Sequence, residues 1–143
     1  MKKNLLLFIL FILGSTFSQA QQITLFDSDG VARAFIDYDD DQTIFLWDGT
    51  PIAFLEKEGK EICVIGLNGE FLGWYQQGIL YDENGYMVGI KKGAIKMETK
   101  PEKMKASPQL SPIHPIAPIA PLQPDLRDSW SNVNLADFLK LGK

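Results

Sequence analysis

From Ile23 to Ile90 the chain alternates short apolar runs with short polar breaks, and the breaks carry a repeated signature. An acidic or amide residue is followed by Gly, then three variable residues, then Ala or Gly, then a large apolar residue. The copies are Asp29-Gly30 with Ala34 and Phe35, Asp48-Gly49 with Ala53 and Phe54, Asn68-Gly69 with Gly73 and Trp74, and Asn84-Gly85 with Gly89 and Ile90. Asp-Gly and Asn-Gly between apolar runs are the strongest short-range hairpin signal, and a type I′ turn, with both central residues at positive φ, is the form they predict. The runs before each turn are Ile23–Phe26, Thr43–Trp47, Ile62–Ile65 and Ile79–Tyr81. The runs after are Val31–Tyr38, Ile52–Leu55, Phe71–Tyr75 and Met87–Ile90. All are rich in β-branched and aromatic residues, as strands are. Several are too continuously apolar for a sheet with one wet face, so both faces are expected to be covered.

The small residue four positions after each turn glycine requires its own reason. Glycine weakens a strand interior unless another group comes close. Ala34, Ala53, Gly73 and Gly89 are equivalent, so neighbouring hairpins are expected to cross closely near a common axis. One hairpin is marginal in water; four around an axis can share a core. The fold class is therefore all-β: four β-hairpins in a pseudo-fourfold bundle over residues 21–93.

The four turns with their following Ala/Gly steps resemble the 4-fold β-flower domain of bacterial exported proteins, over residues 22–93. The resemblance implies a pseudo-fourfold bundle and brings no known activity or site residues. The second repeat departs from the pattern, with a shorter approach and Pro51 two past its glycine, which leaves its turn type open. A second stretch, Gly73-Trp74-Tyr75 through Tyr81 to Gly89, is similar to the aromatic repeat of choline-binding and glucan-binding cell-wall modules. That likeness implies a carbohydrate- or choline-binding module using Trp74, Tyr75 and Tyr81 in an aromatic cage. The first two repeats lack the paired aromatics such modules use.

Beyond residue 93 the pattern changes. A Lys-rich linker, residues 94–111, leads into a segment with Pro at 112, 115, 118, 121 and 124. A period of three matches the polyproline II helix, so the prolines form one ridge, Ile113, Ile116, Ile119 and Leu122 a second, and His114, Ala117, Ala120 and Gln123 a third. A pure spacer needs no aliphatic ridge, so this rod is expected to lie on an apolar surface of the bundle or of a partner. Residues 125–143 then hold a short helix, with Asn132 or Asn134 as its cap and Leu135, Phe138 and Leu139 on one face. Such a helix is too short to persist alone. Trp130 is the expected anchor, and Trp130 and Phe138 are candidate partner contacts.

At the other end, Lys2 and Lys3 precede nine apolar residues, Leu5 to Leu13, and Ser18 and Ala20 stand at −3 and −1 of a small-residue cleavage site. This is the pattern of a secretory signal peptide, residues 1–20, and the run is too short to span a bilayer. It places the protein in the periplasm or outside the cell. Residues 23–90 hold 13 acidic and 3 basic side chains, whereas 91–105 hold six Lys and two Glu. The acidic body argues against nucleic acid as a partner.

Chemistry is sparse. Cys63 is the only cysteine and His114 the only histidine, which excludes an internal disulfide and reads Cys63 as a buried small hydrophobe. No nucleophile-elbow or phosphate-cradling motif is present. Asp27-Ser28-Asp29-Gly30 and Asp82-Glu83-Asn84-Gly85 imitate calcium loops but lack the outer ligands. Asp37 to Asp41 is the densest carboxylate cluster and reads as a solvated turn. No cofactor is implied, and the chain reads as a non-catalytic structural or interaction domain.

Overall fold

A computed structural model describes residues 21–143. The expected signal peptide, residues 1–20, lies outside the described residues. Eight antiparallel strands close into a barrel in chain order: β1 (Gln22–Phe26), β2 (Ala32–Asp37), β3 (Thr43–Leu46), β4 (Pro51–Glu58), β5 (Glu61–Gly66), β6 (Phe71–Gln76), β7 (Ile79–Asp82) and β8 (Met87–Ile90). One helix, α1 (Leu135–Lys140), follows. The seam is the thinnest ladder, with Phe26 and Ile90 the single pair registered between β1 and β8.

The four hairpins share one turn, and it is not type I′. In each, the turn glycine donates its N–H to the carbonyl three residues back: Gly30 to Asp27, Gly49 to Leu46, Gly69 to Gly66 and Gly85 to Asp82, at 2.9–3.0 Å. The residue that accepts then donates across to the strand after the glycine, to Val31, Thr50, Glu70 and Tyr86. Only the glycine is at positive φ, from 73° to 87°; the Asp or Asn before it is not. This is a type I turn closed by a G1 bulge. Turn carboxylates and amides cap it: Asp27 Oδ1 accepts from the N–H of Asp29 and Val31, and Asp48, Asn68 and Asp82 do the same job locally. The second repeat, despite Pro51, makes the same turn as the others, because Pro51 sits past the turn where no turn N–H is required.

Each hairpin also slips register once, so that Arg33, Ile52, Leu72 and Val88 are bulged. The bulge sets the next residue opposite a large aliphatic: Ala34 faces Leu25, Ala53 faces Ile44, Gly73 faces Val64 and Gly89 faces Leu80. These aliphatics are fully buried in the barrel interior with Ile36, Leu55 and Tyr75. The expected crossing of hairpins near an axis is not what Gly73 answers to: a Cβ there would strike the Tyr81 carbonyl of β7, the strand paired beside it in the sheet. At Gly89 the reason differs: a Cβ would meet the Leu135 side chain at 2.9 Å. Helix α1 packs against β2, β4 and β8, the strands of Ala34, Ala53 and Gly89, and its apolar face shares one core with the two alanines.

Leu135, Phe138 and Leu139 enter the interior core and are at most 3% exposed. The helix is a plug at the turn end of the barrel. Asn134 caps it, its side chain accepting the Asp137 N–H at 2.9 Å. Beyond it, Asn68 holds the chain by donating to the carbonyls of Gly142 (3.0 Å) and Leu141 (2.8 Å).

Between β8 and the plug, residues 91–134 wrap the outside of the barrel as a strap. It passes the turn glycines in sequence order. The Lys100 N–H donates to the Gly30 carbonyl, Gln109 to Gly49, and Arg127 to Gly85, at 2.8–2.9 Å, while Pro115 lies 3.7 Å from where a Cβ on Gly69 would be. The strap supplies the cover that the second apolar face required. Phe35, Phe45, Phe54 and Trp74 alternate with interior residues along their strands, so they face outward, yet none is more than 1% exposed.

Candidate functional site

Two places in this architecture gather polar and aromatic groups: the outer face under the rod, and the barrel mouth opposite the plug. Under the rod, Phe54, Cys63, Ile65 and Trp74 form a second apolar cluster, and Ala117 and Ala120 pack onto it. The His114 ring stacks on Phe54 with centroids 4.1 Å apart, and its Nε2 shares a 2.8 Å hydrogen bond with the Thr43 hydroxyl. Thus the ridge of His114, Ala117 and Ala120 docks, and the aliphatic ridge expected to dock does not. Ile113, Ile116, Ile119 and Leu122 are 92–98% exposed. The reason is depth. Methyl-sized side chains let the rod's backbone approach a surface already filled by Phe54, Ile65 and Trp74, close enough for the Ala120 N–H to reach the Glu58 carboxylate. A row of isoleucines there would hold it off.

Cys63 sits in this layer, 1% exposed, its thiol directed at Glu58 Oε2 at 3.8 Å. Burial, then the nearby Glu58 and Glu61 charges, push the thiol pKa up to about 11, so it is not a thiolate at neutral pH. His114 and Cys63 make no pair. Among the described residues no group of three or more His, Cys, Asp and Glu gathers to hold a metal ion. Asp37 to Asp41 is instead consumed in local structure: Asp37 accepts the Asp39 N–H, Asp39 the Gln21 N–H, and Asp40 the Ser111 hydroxyl.

The mouth is a hollow of about 940 Å³ lined by Gln21, Gln22, Ile23, Tyr38, Tyr75, Gln77, Gly78 and Lys91. Tyr75 closes its floor, 7% exposed. Burial, and then the neighbouring Tyr38, push the Tyr75 pKa far above its ordinary value, and burial raises that of Tyr38. Two phenols, three side-chain amides and a lysine line it, groups that offer hydrogen bonds.

The aromatics singled out from the sequence do not converge. Trp74 and Tyr81 are paired across β6 and β7, Trp74 at 0% exposure beneath the rod and with its indole N–H unbonded. Tyr75 points into the barrel and Phe138 belongs to the plug. Trp130 lies in the strap, bridged to Met87. A cage needs open ring faces on one cavity, and Trp74, Tyr75 and Tyr81 divide between two sides of the barrel wall. Tyr38 and Lys91 escaped sequence reasoning, as did the docking of the Ala117–Ala120 ridge. Small residues at every third position of the rod were the available signal for the last.

Residues 23–139 match the family model described as 4-fold beta flower protein. The chain belongs to the 4-fold β-flower family. The matched span runs well past residue 93, where the resemblance in sequence ended, and takes in the strap and plug; in this β-flower protein neither is an appendage, since one roofs the barrel and the other fills it. No curated protein and no solved structure matches the chain.

Proposed function

We propose that this protein is a non-catalytic, exported structural or protein-interaction domain of the cell envelope, and that its tail acts as an internal lock on the barrel. The observation carrying this reading is that the chain spends its aromatics on itself. Trp74, Tyr75, Tyr81 and Phe138 are at most 7% exposed: Trp74 lies beneath the rod, Tyr75 in the barrel interior and Phe138 in the plug. Export is supported by the leader pattern of residues 1–20, with β1 beginning two residues after the expected cleavage point.

Limited proteolysis of the purified protein tests the lock. The expected result is resistance between Ala106 and Asp128 under conditions that cut an unfolded control within minutes. A variant ending at residue 105 should bind a hydrophobic dye and lose cooperative melting. Rapid cutting within the strap, or a truncated barrel that melts like the whole protein, would overturn the reading. Mass analysis of the secreted product, expected to start at Gln21, tests export separately.

A further inference from the structure

The plug is seated on the third turn. Gly66 and Gly142 lie face to face there, and a Cβ on Gly142 would meet the Gly66 Cα and the Ile52 carbonyl oxygen, each at 2.7 Å. Asn68 closes this seat with two donors, its backbone N–H to the Gly142 carbonyl at 3.0 Å and its Nδ2 to the Leu141 carbonyl at 2.8 Å. Its Oδ1 accepts the Glu70 N–H at 3.0 Å, so both ends of the amide are engaged. The equivalent positions of the first two repeats hold Asp29 and Asp48. A carboxylate can accept from the turn, as Asp48 does from Thr50, but it has no proton to donate to Leu141. The plug's latch therefore needs an amide. That amide precedes glycine, whose backbone nitrogen is the least hindered from attacking it.

We propose that Asn68 is a deamidation site gated by the plug, so that a lost amide records that the plug has left its seat. In the reaction the Gly69 nitrogen attacks Asn68 Cγ and gives up its proton, the Cγ–Nδ2 bond breaks, and ammonia leaves. Water then opens the cyclic imide to aspartate or isoaspartate; no electrons are exchanged, and water is the only co-reactant. The seated plug opposes the first step, because the bonds to Leu141 and Glu70 hold the Asn68 amide in place while Gly69 donates its N–H to Gly66 at 2.9 Å. Asn84-Gly85 supplies the comparison within the same chain. It makes the same turn, with the Gly85 N–H donated to Asp82 at 3.0 Å. Among the described residues its side-chain amide has no such partner, and its backbone N–H alone is held, by Asp82. The consequences differ as well. A carboxylate at position 68 loses the donor to Leu141 and sets a charge against that carbonyl, and isoaspartate also lengthens the turn backbone by one methylene, so conversion makes unseating one-way. The gate rests on the internal lock proposed above. Proteolysis of residues 106–128 tests that lock without involving Asn68, and a resistant strap with a labile Asn68 would sink the gate alone.

Ageing the folded protein at pH 8 and following both turns by peptide mass provides the test. The expected result is conversion of Asn68 at least tenfold slower than that of Asn84, with the two rates comparable in denaturant. Gly142→Ala crowds the seat from outside α1 and should raise the Asn68 rate at least fivefold while leaving that of Asn84 unchanged. Asn68→Asp should speed hydrogen exchange at the Leu141 and Gly142 amides at least tenfold, and Asn84→Asp should not. Neither the parent comparison nor the exchange measurement depends on Gly142→Ala folding. Asn68 converting as fast as Asn84 in the folded protein would overturn the proposal. So would a folded Gly142→Ala protein whose Asn68 is no more labile, or an Asn68→Asp protein that exchanges like the parent.

Discussion

Asp27 shows how much one turn residue carries. Its Oδ1 accepts two backbone N–H groups, and its Oδ2 pairs with Arg33 Nε at 2.9 Å. Burial raises its pKa, but Arg33 and the N–H groups of Val31 and Asp29 outweigh that and hold it below its ordinary value. A carboxyl depressed in the fold stabilises above its unfolded pKa of about 3.9, and that stability is lost as pH falls from there through the depressed value. Asp27→Asn keeps an oxygen for the turn but loses the charge. It should cost about 0.5–1.5 kcal/mol at pH 7, with Arg33 half exposed and so partly screened. The gap from the parent should narrow in urea melts as pH falls from about 3.9 through the depressed value. The turn's existence was legible in Asp29-Gly30. Its type was not, because dipeptide preference is shared between type I′ and the G1-bulged turn, and the strand twist and slip at Arg33 select between them.

At the scale of elements, α1 has six residues and would not hold together in water; its stability is that of its burial. Phe138→Ala should destabilise the protein by ~3–5 kcal/mol in chemical denaturation, the cost of a large core truncation. Asn134→Ala, which removes only the cap, should cost about 1 kcal/mol. A Phe138→Ala loss below 1 kcal/mol would show that the plug does not fill the barrel. The helix, its cap and its apolar face were readable from spacing. Its destination was not. Ala34, Ala53 and Gly89 announced that something came close, but small residues do not say what approaches, and hairpin crossing accounted for them equally well. The rod failed in the opposite direction: its apolar ridge was visible and its docking ridge looked inert, because hydrophobicity reports affinity for contact and not the depth available for it.

Across the whole molecule, barrel, strap and plug should melt as one unit, since the strap covers the outer aromatics and the plug completes the inner core. Cys63 reports on this. At 1% exposure and with a pKa near 11, it should react with iodoacetamide at pH 8 at least a hundredfold more slowly than in denaturant. The rate in increasing urea should follow the same midpoint as tryptophan fluorescence. Labelling that precedes the fluorescence change would mean that the rod lifts before the barrel opens. The four-hairpin plan was legible because each repeat announces itself locally. Closure into a barrel, and the order in which residues 91–134 visit the four glycines, depend on contacts between residues 42 to 70 positions apart that no local pattern encodes. That order also sets a clock. Forty-four residues separate Ile90 from Leu135, about 2–9 s of ribosome time at ordinary elongation rates. For that interval the strands lack their filling and their roof, so the barrel cannot complete its core until the helix has been made.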